Sequence, residues 1–225
     1  MSVFIRGQLF AVPARSSRMA PLVIDHLDPA STALLVVDAQ VAFAGEASPL
    51  AARGVDLTGP VETVPRVVDL IDVAREAGIT VAYTRSVRRA DDRDGPARAH
   101  RILPEIYREG EPICRAGSPD AAYVEGIDPA PDEYEVEKRR YDAFHGTPLE
   151  SYLRIEGVET TLLCGFTTNV CVESTARGAH ERGFDVVLVE DCCASFTPEM
   201  HASAVRNAEL MLGTTATGDE VAELL

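Results

Sequence analysis

The chain has 225 residues, of which 46% are hydrophobic and 25% are charged, and its formal net charge is −15. This length and composition indicate one globular domain with a substantial buried core. The acidic excess argues against a general nucleic-acid-binding protein, because neutralising phosphates requires clustered Lys and Arg. No apolar run approaches the ~20 residues that span a bilayer.

The first thirty residues differ in character from the rest. Within MSVFIRGQLFAVPARSSRMA, the polar segment from Arg6 to Gln8 interrupts any signal-peptide core. We predict an N-terminal arm over residues 1–30, a single domain over residues 31–225, and a cytoplasmic location.

Two strand patterns flank a helix pattern near the start of the domain. ALLVVDAQ (33–40) is a continuous apolar run that ends in a carboxylate, which is typical of a buried parallel strand. VETVPRVVDLIDVAREAG (61–78) has helical spacing with Gly78 as its stop, and ITVAYTR (79–85) follows as a strand. This βαβ unit predicts a parallel sheet with a right-handed crossover.

The alternation resumes after an irregular segment. Residues 86–132 mix charges with Gly and Pro, which is typical of a lid or binding loop with one short helix. Strand patterns follow at 134–140, 160–165, 184–191 and 213–217, with helix patterns between them. The sequence therefore predicts a Rossmann-like, three-layer α/β/α fold with a six-stranded, mostly parallel sheet.

Several common functional motifs are missing from the sequence. There is no G-x-G-x-x-G, no G-x-x-x-x-G-K-[ST] and no G-x-S-x-G, which disfavours a nucleotide cofactor and a serine hydrolase. The five cysteines are odd in number and lack a repeated C-x-x-C spacing, which disfavours a disulfide framework and a zinc ribbon. Cys164, Cys192 and Cys193 are interpreted as packing residues, and no cofactor is predicted.

Asp38 and Cys171 are the candidates for chemistry. Each follows the carboxyl end of a predicted strand, where open parallel sheets bind ligands. With Thr168 or Asn169 as N-cap, Cys171 would lie in the first turn of a helix, where free N–H groups lower a thiol pKa and hold an oxyanion. Alone, Asp38 is equally consistent with a turn cap, and Cys171 with a buried packing residue.

Lys138 is the third candidate. An ammonium beside the other two groups would favour both the thiolate and the ionised aspartate. On its own, a lysine next to Arg139 and Arg140 is more typical of a solvated charge.

Three segments in order carry a resemblance to a known family. LLVVDAQVAF, EKRRYDAFHGTPLESYL and LLCGFTTNVCVESTARGAHERGFDVVLVEDCCAS resemble the motif blocks of the isochorismatase-like cysteine hydrolases, over residues 31–217. The resemblance implies a catalytic triad of Asp38, Lys138 and Cys171. It also implies a cis peptide between Phe166 and Thr167, and an oxyanion hole formed by the N–H groups of Thr167 and Cys171.

The family contains several chemistries. Isochorismatases proper lack the cysteine, so Cys171 favours the amidohydrolase side, and TNVCVEST is most similar to the ureidoacrylate and biuret amidohydrolases. DAQVAF departs from the commoner D-x-Q-N-D-F. Nicotinamidases typically bind a metal through an Asp-x-His pair and a further His; here Thr58 stands two residues after Asp56, so we predict no catalytic metal.

The sequence thus predicts a cysteine-dependent amidohydrolase that cleaves a C–N bond of a small amide, ureide or carbamoyl compound through a thioester. The alternatives are a nicotinamidase-type or cyclic-amide hydrolase (acting on streptothricin-type lactams), and a redox-sensing or binding protein on the same fold. We also expect a homo-oligomer, a dimer or a tetramer. The residues expected to line the substrate pocket are Gln40, Phe43, Tyr141, Phe144, Phe166 and Asn169.

Overall fold

The computed structural model describes residues 25–91, 93–94 and 113–225, together with the backbone of residues 2–5 and 8–11. Within the predicted N-terminal arm, strands β1 (Ser2–Ile5) and β2 (Gln8–Ala11) pair as an antiparallel hairpin. No helix among the described residues is both long and apolar enough to cross a bilayer. Of the segment 86–132, predicted as a lid or binding loop, residues 92 and 95–112 lie outside the described residues.

The main sheet has six strands, and all of its strand pairs are parallel. The strands are β3 (Thr32–Val37), β4 (Thr80–Ser86), β5 (Tyr134–Lys138), β6 (Thr160–Phe166), β7 (Asp185–Ala194) and β8 (Thr214–Ala216). Their spatial order is β5-β4-β3-β6-β7-β8. The predicted fold class is confirmed.

Helices connect the strands. They are α1 (Val41–Ala44), α2 (Thr58–Glu76), α3 (Leu149–Ile155), α4 (Glu173–Glu181), α5 (Pro198–Met211) and α6 (Gly218–Leu224). From β3 the chain moves one way along the sheet, and from β6 it moves the other way. Right-handed crossovers therefore place α2 and the α4–α5 pair on opposite faces of the sheet.

The core follows from the apolar runs of the central strands. All six residues of β3 are buried, and β6 is buried from Thr161 to Phe166. β7 is longer than predicted and includes Cys192 and Cys193, whose thiols are buried against the carbonyl groups of Arg66 and Leu163. The interpretation of these two cysteines as packing residues is confirmed.

Candidate active site

The site lies where the strand order reverses. β3 and β6 are neighbours in the sheet, yet their following connections run to opposite sides, which leaves a crevice at their carboxyl ends. Asp38 follows β3, and Cys171 lies five residues beyond the end of β6. The sheet topology therefore brings the carboxylate and the thiol to the same crevice, as the sequence predicts.

Asp38 is fully buried and held by its neighbours. Its φ is 50°, an uncommon left-handed conformation for a residue other than glycine. The Thr84 hydroxyl on β4 donates a 2.7 Å hydrogen bond to Asp38 Oδ1, and the Asp38 N–H donates to the Thr84 carbonyl at 3.1 Å. These contacts fix the direction of the carboxylate, which the sequence left open to a role as a turn cap.

Lys138 reaches Asp38 across the end of β4. It is the last residue of β5, beside Ser86 of β4, and only 1% of it is exposed. Its Nζ lies 2.6 Å from Asp38 Oδ2 and donates to the Arg140 carbonyl at 3.1 Å. The alternative of a solvated surface charge is therefore wrong for Lys138.

One oxygen of the carboxylate remains available. Asp38 Oδ2 is buried, and apart from its ion pair with Lys138 it accepts no hydrogen bond from the described residues. A buried carboxylate oxygen with spare capacity is suited to accept a proton from a neighbouring group.

Cys171 completes the group. The helical turn Thr168–Val172 carries it directly into α4, and the thiol interacts with both Asp38 and Lys138. The peptide between Phe166 and Thr167 is cis, as the resemblance implies.

The N-cap of this turn is Thr167, and neither Thr168 nor Asn169, as predicted, holds that position. The Thr167 side chain makes no capping hydrogen bond. The side chain of Thr168 bonds to His201, and that of Asn169 bonds to Ser195.

The electrostatics differ from the expectation. Burial raises the pKa of the Cys171 thiol, the Asp38 carboxylate raises it further, and the Lys138 ammonium opposes both. Burial also acts to lower the pKa of Lys138, but the negative charges of Asp38 and Cys171 outweigh it and raise that pKa overall. The predicted lowering of the thiol pKa is therefore wrong in direction, because desolvation exceeds the effect of the single ammonium.

The two residues expected to form an oxyanion hole lie on either side of the turn that carries the nucleophile, and that role stays a prediction. Thr167 and Cys171 flank the turn that follows the cis peptide, and both are almost fully buried. The Thr167 N–H has no hydrogen-bond acceptor among the described residues. Backbone N–H groups of this kind are suited to bind a negatively charged oxygen.

The predicted pocket residues fall into two groups. Gln40 is buried, and its amide nitrogen donates to the carbonyls of Ser86 and Ala121 at 3.1 and 2.9 Å, so we assign it a structural role in place of substrate binding. Phe144 stacks on Phe184, whose position just before β7 is at the opposite end of the sheet, so its assignment to the pocket is wrong.

The other four predicted pocket residues lie at the carboxyl end of the sheet or on segments leading from it. Phe43 is buried in α1, and Phe166 is wholly buried at the end of β6. Tyr141 is 54% exposed, and Asn169 is half-buried with its side chain directed at Ser195. Contact of any of these residues with substrate stays a prediction.

Two neighbours of the site were missed from the sequence. Thr84 is a polar residue near the end of an otherwise apolar strand, and it pairs with Val37, the residue before Asp38. A polar residue at this position is the sequence feature that could have indicated a place near the site. Cys114 is buried with a φ of 57°, and its N–H donates to Asp120 at 2.6 Å. Burial and the Asp120 charge raise its pKa, with smaller contributions from Asp38 and Cys171.

The position that corresponds to the metal pair of nicotinamidases is a helix start. Asp56 Oδ1 accepts the N–H of Thr58, the first residue of α2, at 2.9 Å. Among the residues that the structure describes, no three His, Cys, Asp or Glu side chains are grouped so as to hold a metal ion. The absence of a catalytic metal stays a prediction.

The chain is similar to several known proteins. The family model described as "Isochorismatase domain" matches residues 32–220. A ureidoacrylate amidohydrolase RutB of Methylobacterium radiotolerans is 33% identical over 212 residues, which cover 90% of this chain and 80% of the relative.

Two solved structures are also similar to this chain. A cysteine hydrolase from Pseudomonas syringae pv. phaseolicola has a TM-score of 0.76 at 27% identity, covering 88% of this chain and 93% of its own. N-carbamoylsarcosine amidase from Thermoplasma acidophilum has a TM-score of 0.66 at 27% identity, covering 84% and 97%. The predicted family is confirmed: the chain belongs to the isochorismatase family.

Proposed function

We propose that the protein is a cysteine-dependent amidohydrolase that cleaves a C–N bond of a small amide, ureide or carbamoyl compound. The observation that carries this proposal is the buried ion pair of Lys138 Nζ with Asp38 Oδ2, at 2.6 Å, which influences the buried Cys171 thiol at the switch point of the sheet. The names of the relatives, a ureidoacrylate amidohydrolase and an N-carbamoylsarcosine amidase, support a ureide or carbamoyl substrate.

The proposed reaction begins with proton transfer. Asp38 Oδ2 takes the proton of the Cys171 thiol as sulfur attacks the substrate carbonyl carbon, and the N–H groups of Thr167 and Cys171 stabilise the negative oxygen. The C–N bond breaks, and Asp38 returns the proton to the leaving nitrogen. Lys138 stays protonated throughout and offsets the negative charge of the carboxylate and the sulfur.

Hydrolysis of the thioester regenerates the enzyme. Asp38 is again ionised and accepts a proton from a water molecule, whose oxygen attacks the acyl carbon. The C–S bond breaks, and the thiol is re-formed with the proton that Asp38 holds. Each of the three side chains returns to its starting protonation state.

Ammonia or amine release from a substrate panel tests this function. The panel contains ureides, N-carbamoyl amino acids, nicotinamide and cyclic amides, each assayed with wild type and with Cys171→Ala. We expect the ureides or carbamoyl compounds to be hydrolysed by wild type alone. Hydrolysis of nicotinamide or lactams alone would favour the alternative substrate classes, and hydrolysis by Cys171→Ala would exclude the cysteine mechanism.

A further inference from the structure

A histidine from a neighbouring helix contacts the turn that carries the nucleophile. His201 lies in the first turn of α5, and its ring Nδ1 is 2.9 Å from the hydroxyl of Thr168. Thr168 is fully buried and begins the turn Thr168–Val172, three residues before Cys171. This side-chain contact therefore joins α5 directly to the nucleophile turn.

The start of α5 is well defined, which fixes the place of the histidine. Thr197 is the N-cap, and its hydroxyl accepts the N–H of Met200 at 3.3 Å, while Pro198 occupies the first turn. Thr197 also accepts the His201 N–H through its carbonyl at 3.2 Å. Because T-P-E-M sets the helix start, His201 is held at a constant position relative to the end of β7.

We propose that His201 is a positioning residue that holds the Cys171 turn through Thr168. The inference rests on the proposed function above, since it assigns the histidine a part in placing sulfur and backbone N–H groups for attack. Among the described residues, the Thr168 hydroxyl has no other hydrogen-bond partner. Removing the ring therefore leaves a buried hydroxyl of the nucleophile turn without this partner.

A second contact from the same corner supports this role. The Ser195 hydroxyl at the end of β7 donates to Asn169 Oδ1 at 2.8 Å and accepts the Asn169 N–H at 3.3 Å. Two successive residues of the turn, Thr168 and Asn169, are thus bound by the side chains of His201 in α5 and of Ser195 just after β7. The turn is anchored on these two residues as well as on its own helix.

The surroundings of the ring make the proposal testable. His201 borders a cavity of about 650 Å³ whose lining also includes Arg66, Asp191, Cys193 and Arg206. Because the ring is half-buried beside open space and is not enclosed in the core, its replacement removes the contact to Thr168 with little repacking. Variants at this position are therefore expected to fold.

Two substitutions separate positioning from bulk. The amide of Asn reaches the place of the ring Nδ1, whereas the amide of Gln reaches the place of Nε2, and both offer a donor and an acceptor. We expect His201→Gln to lower kcat about 10- to 100-fold with little change in KM, because misplacing a reacting group has effects of this size. His201→Asn should recover most of the lost kcat.

A double-variant cycle tests the route through Thr168. Thr168→Val removes the hydroxyl at nearly constant volume, and the double variant Thr168→Val/His201→Gln should be no slower than the more impaired single variant. The matched control is His180→Gln, which removes an Nδ1 contact of equal length, 2.9 Å to the Leu212 carbonyl, at the other end of the sheet. It should leave kcat unchanged.

Alkylation of Cys171 by iodoacetamide at fixed pH provides a readout that needs no turnover. We expect the rate to fall about tenfold in His201→Gln and to be near that of wild type in His201→Asn. The alkylation rates do not depend on turnover, so we expect this result even if no amide is hydrolysed. The positioning role of His201 and the proposed hydrolase function can therefore fail independently of each other. Equal alkylation rates in wild type and both variants, or single-variant effects on kcat that multiply in the double variant, would overturn the inference.

Discussion

At the scale of single residues, the neighbours of Cys171 set the pKa of its thiol. Burial and the Asp38 carboxylate raise the pKa of the Cys171 thiol, whereas the Lys138 ammonium acts to lower it. These influences favour the protonated thiol, which lies next to a carboxylate oxygen that accepts no hydrogen bond from the described residues. Such a site depends on proton transfer during attack, not on a stored thiolate.

Removing each charged partner should shift the reactivity of Cys171 in opposite directions. Lys138→Ala removes the group that lowers the thiol pKa, so the alkylation midpoint should rise by about 1 to 3 pH units. Asp38→Asn removes a group that raises it, so the midpoint should fall. Both variants should lose turnover, because each removes part of the proposed proton-transfer system.

Iodoacetamide labelling across pH, followed by peptide mass mapping, measures these midpoints. Either single variant leaves a buried charge without its partner, so the unfolding temperature of each variant is recorded, and Asp38→Asn/Lys138→Met serves as a neutral control. Midpoints that move in the same direction in both single variants would contradict the assigned electrostatics.

The nucleophile itself gives a simpler expectation. Cys171→Ser is nearly isosteric, so the free energy of unfolding should change little, while kcat should fall by more than about 100-fold because the activated nucleophile is lost. Denaturant unfolding and steady-state kinetics on one preparation give both numbers. Retention of more than about a hundredth of kcat would be incompatible with attack by Cys171.

At the scale of elements, the site depends on the close pairing of β3 with β6. Gly165 pairs with Val37, the residue before Asp38, and has a φ of 112°. A Cβ at Gly165 would clash with the carbonyl oxygen of Val37. Because that oxygen belongs to backbone, the clash is relieved only if one strand moves, which displaces the carboxylate or the cis peptide segment.

Gly165→Ala should therefore damage both stability and activity. We expect the free energy of unfolding to fall by about 2 to 4 kcal/mol, from backbone strain and overpacking together. Gly157→Ala is the matched control: its φ is 72°, but nothing lies within 4 Å of the added Cβ. It should lose only about 1 kcal/mol, with kcat unchanged. Equal losses in the two variants would show that the strand contact is unimportant.

The same elements show what the sequence could predict. Apolar runs predicted the four central strands β4, β3, β6 and β7, because burial in a parallel sheet leaves a continuous apolar pattern, whereas alternation predicted β5. The positions of Asp38 and Cys171 at strand ends followed from this pattern. The contacts of Thr84 and His201 could not be predicted, since each depends on side-chain direction between segments that are distant in the chain. The N-cap assignment failed because the side chains of Thr168 and Asn169 bond to His201 of α5 and to Ser195 instead.

At the scale of the whole molecule, the strand order brings together groups that lie far apart in sequence. Asp38, Lys138 and Cys171 meet because β5, β4, β3 and β6 are successive neighbours in the sheet. To predict that Lys138 reaches Asp38 across the end of β4, one needs the order of the strands in addition to the sequence motif.

The whole enzyme is expected to work without a bound metal. Asp56 accepts the N–H of Thr58 at the start of α2, and Thr58 stands where a metal-binding histidine is typical of nicotinamidases. We therefore expect kcat to survive dialysis against EDTA or phenanthroline, with metal content checked by mass spectrometry. Activity that is lost on chelation and restored by zinc, iron or manganese would refute this prediction and reassign the reaction.

The central claim is that Cys171 forms a thioester with the acyl group of the substrate. The most direct measurement is acid quench of the enzyme during turnover of an activated substrate analogue whose deacylation is slow, followed by intact mass and peptide mapping. We predict the mass of the acyl group on the peptide that contains Cys171, absent in Cys171→Ala and removed by hydroxylamine. Turnover of the analogue with no acyl group on Cys171, or with the acyl group on another cysteine such as Cys114, would contradict the account.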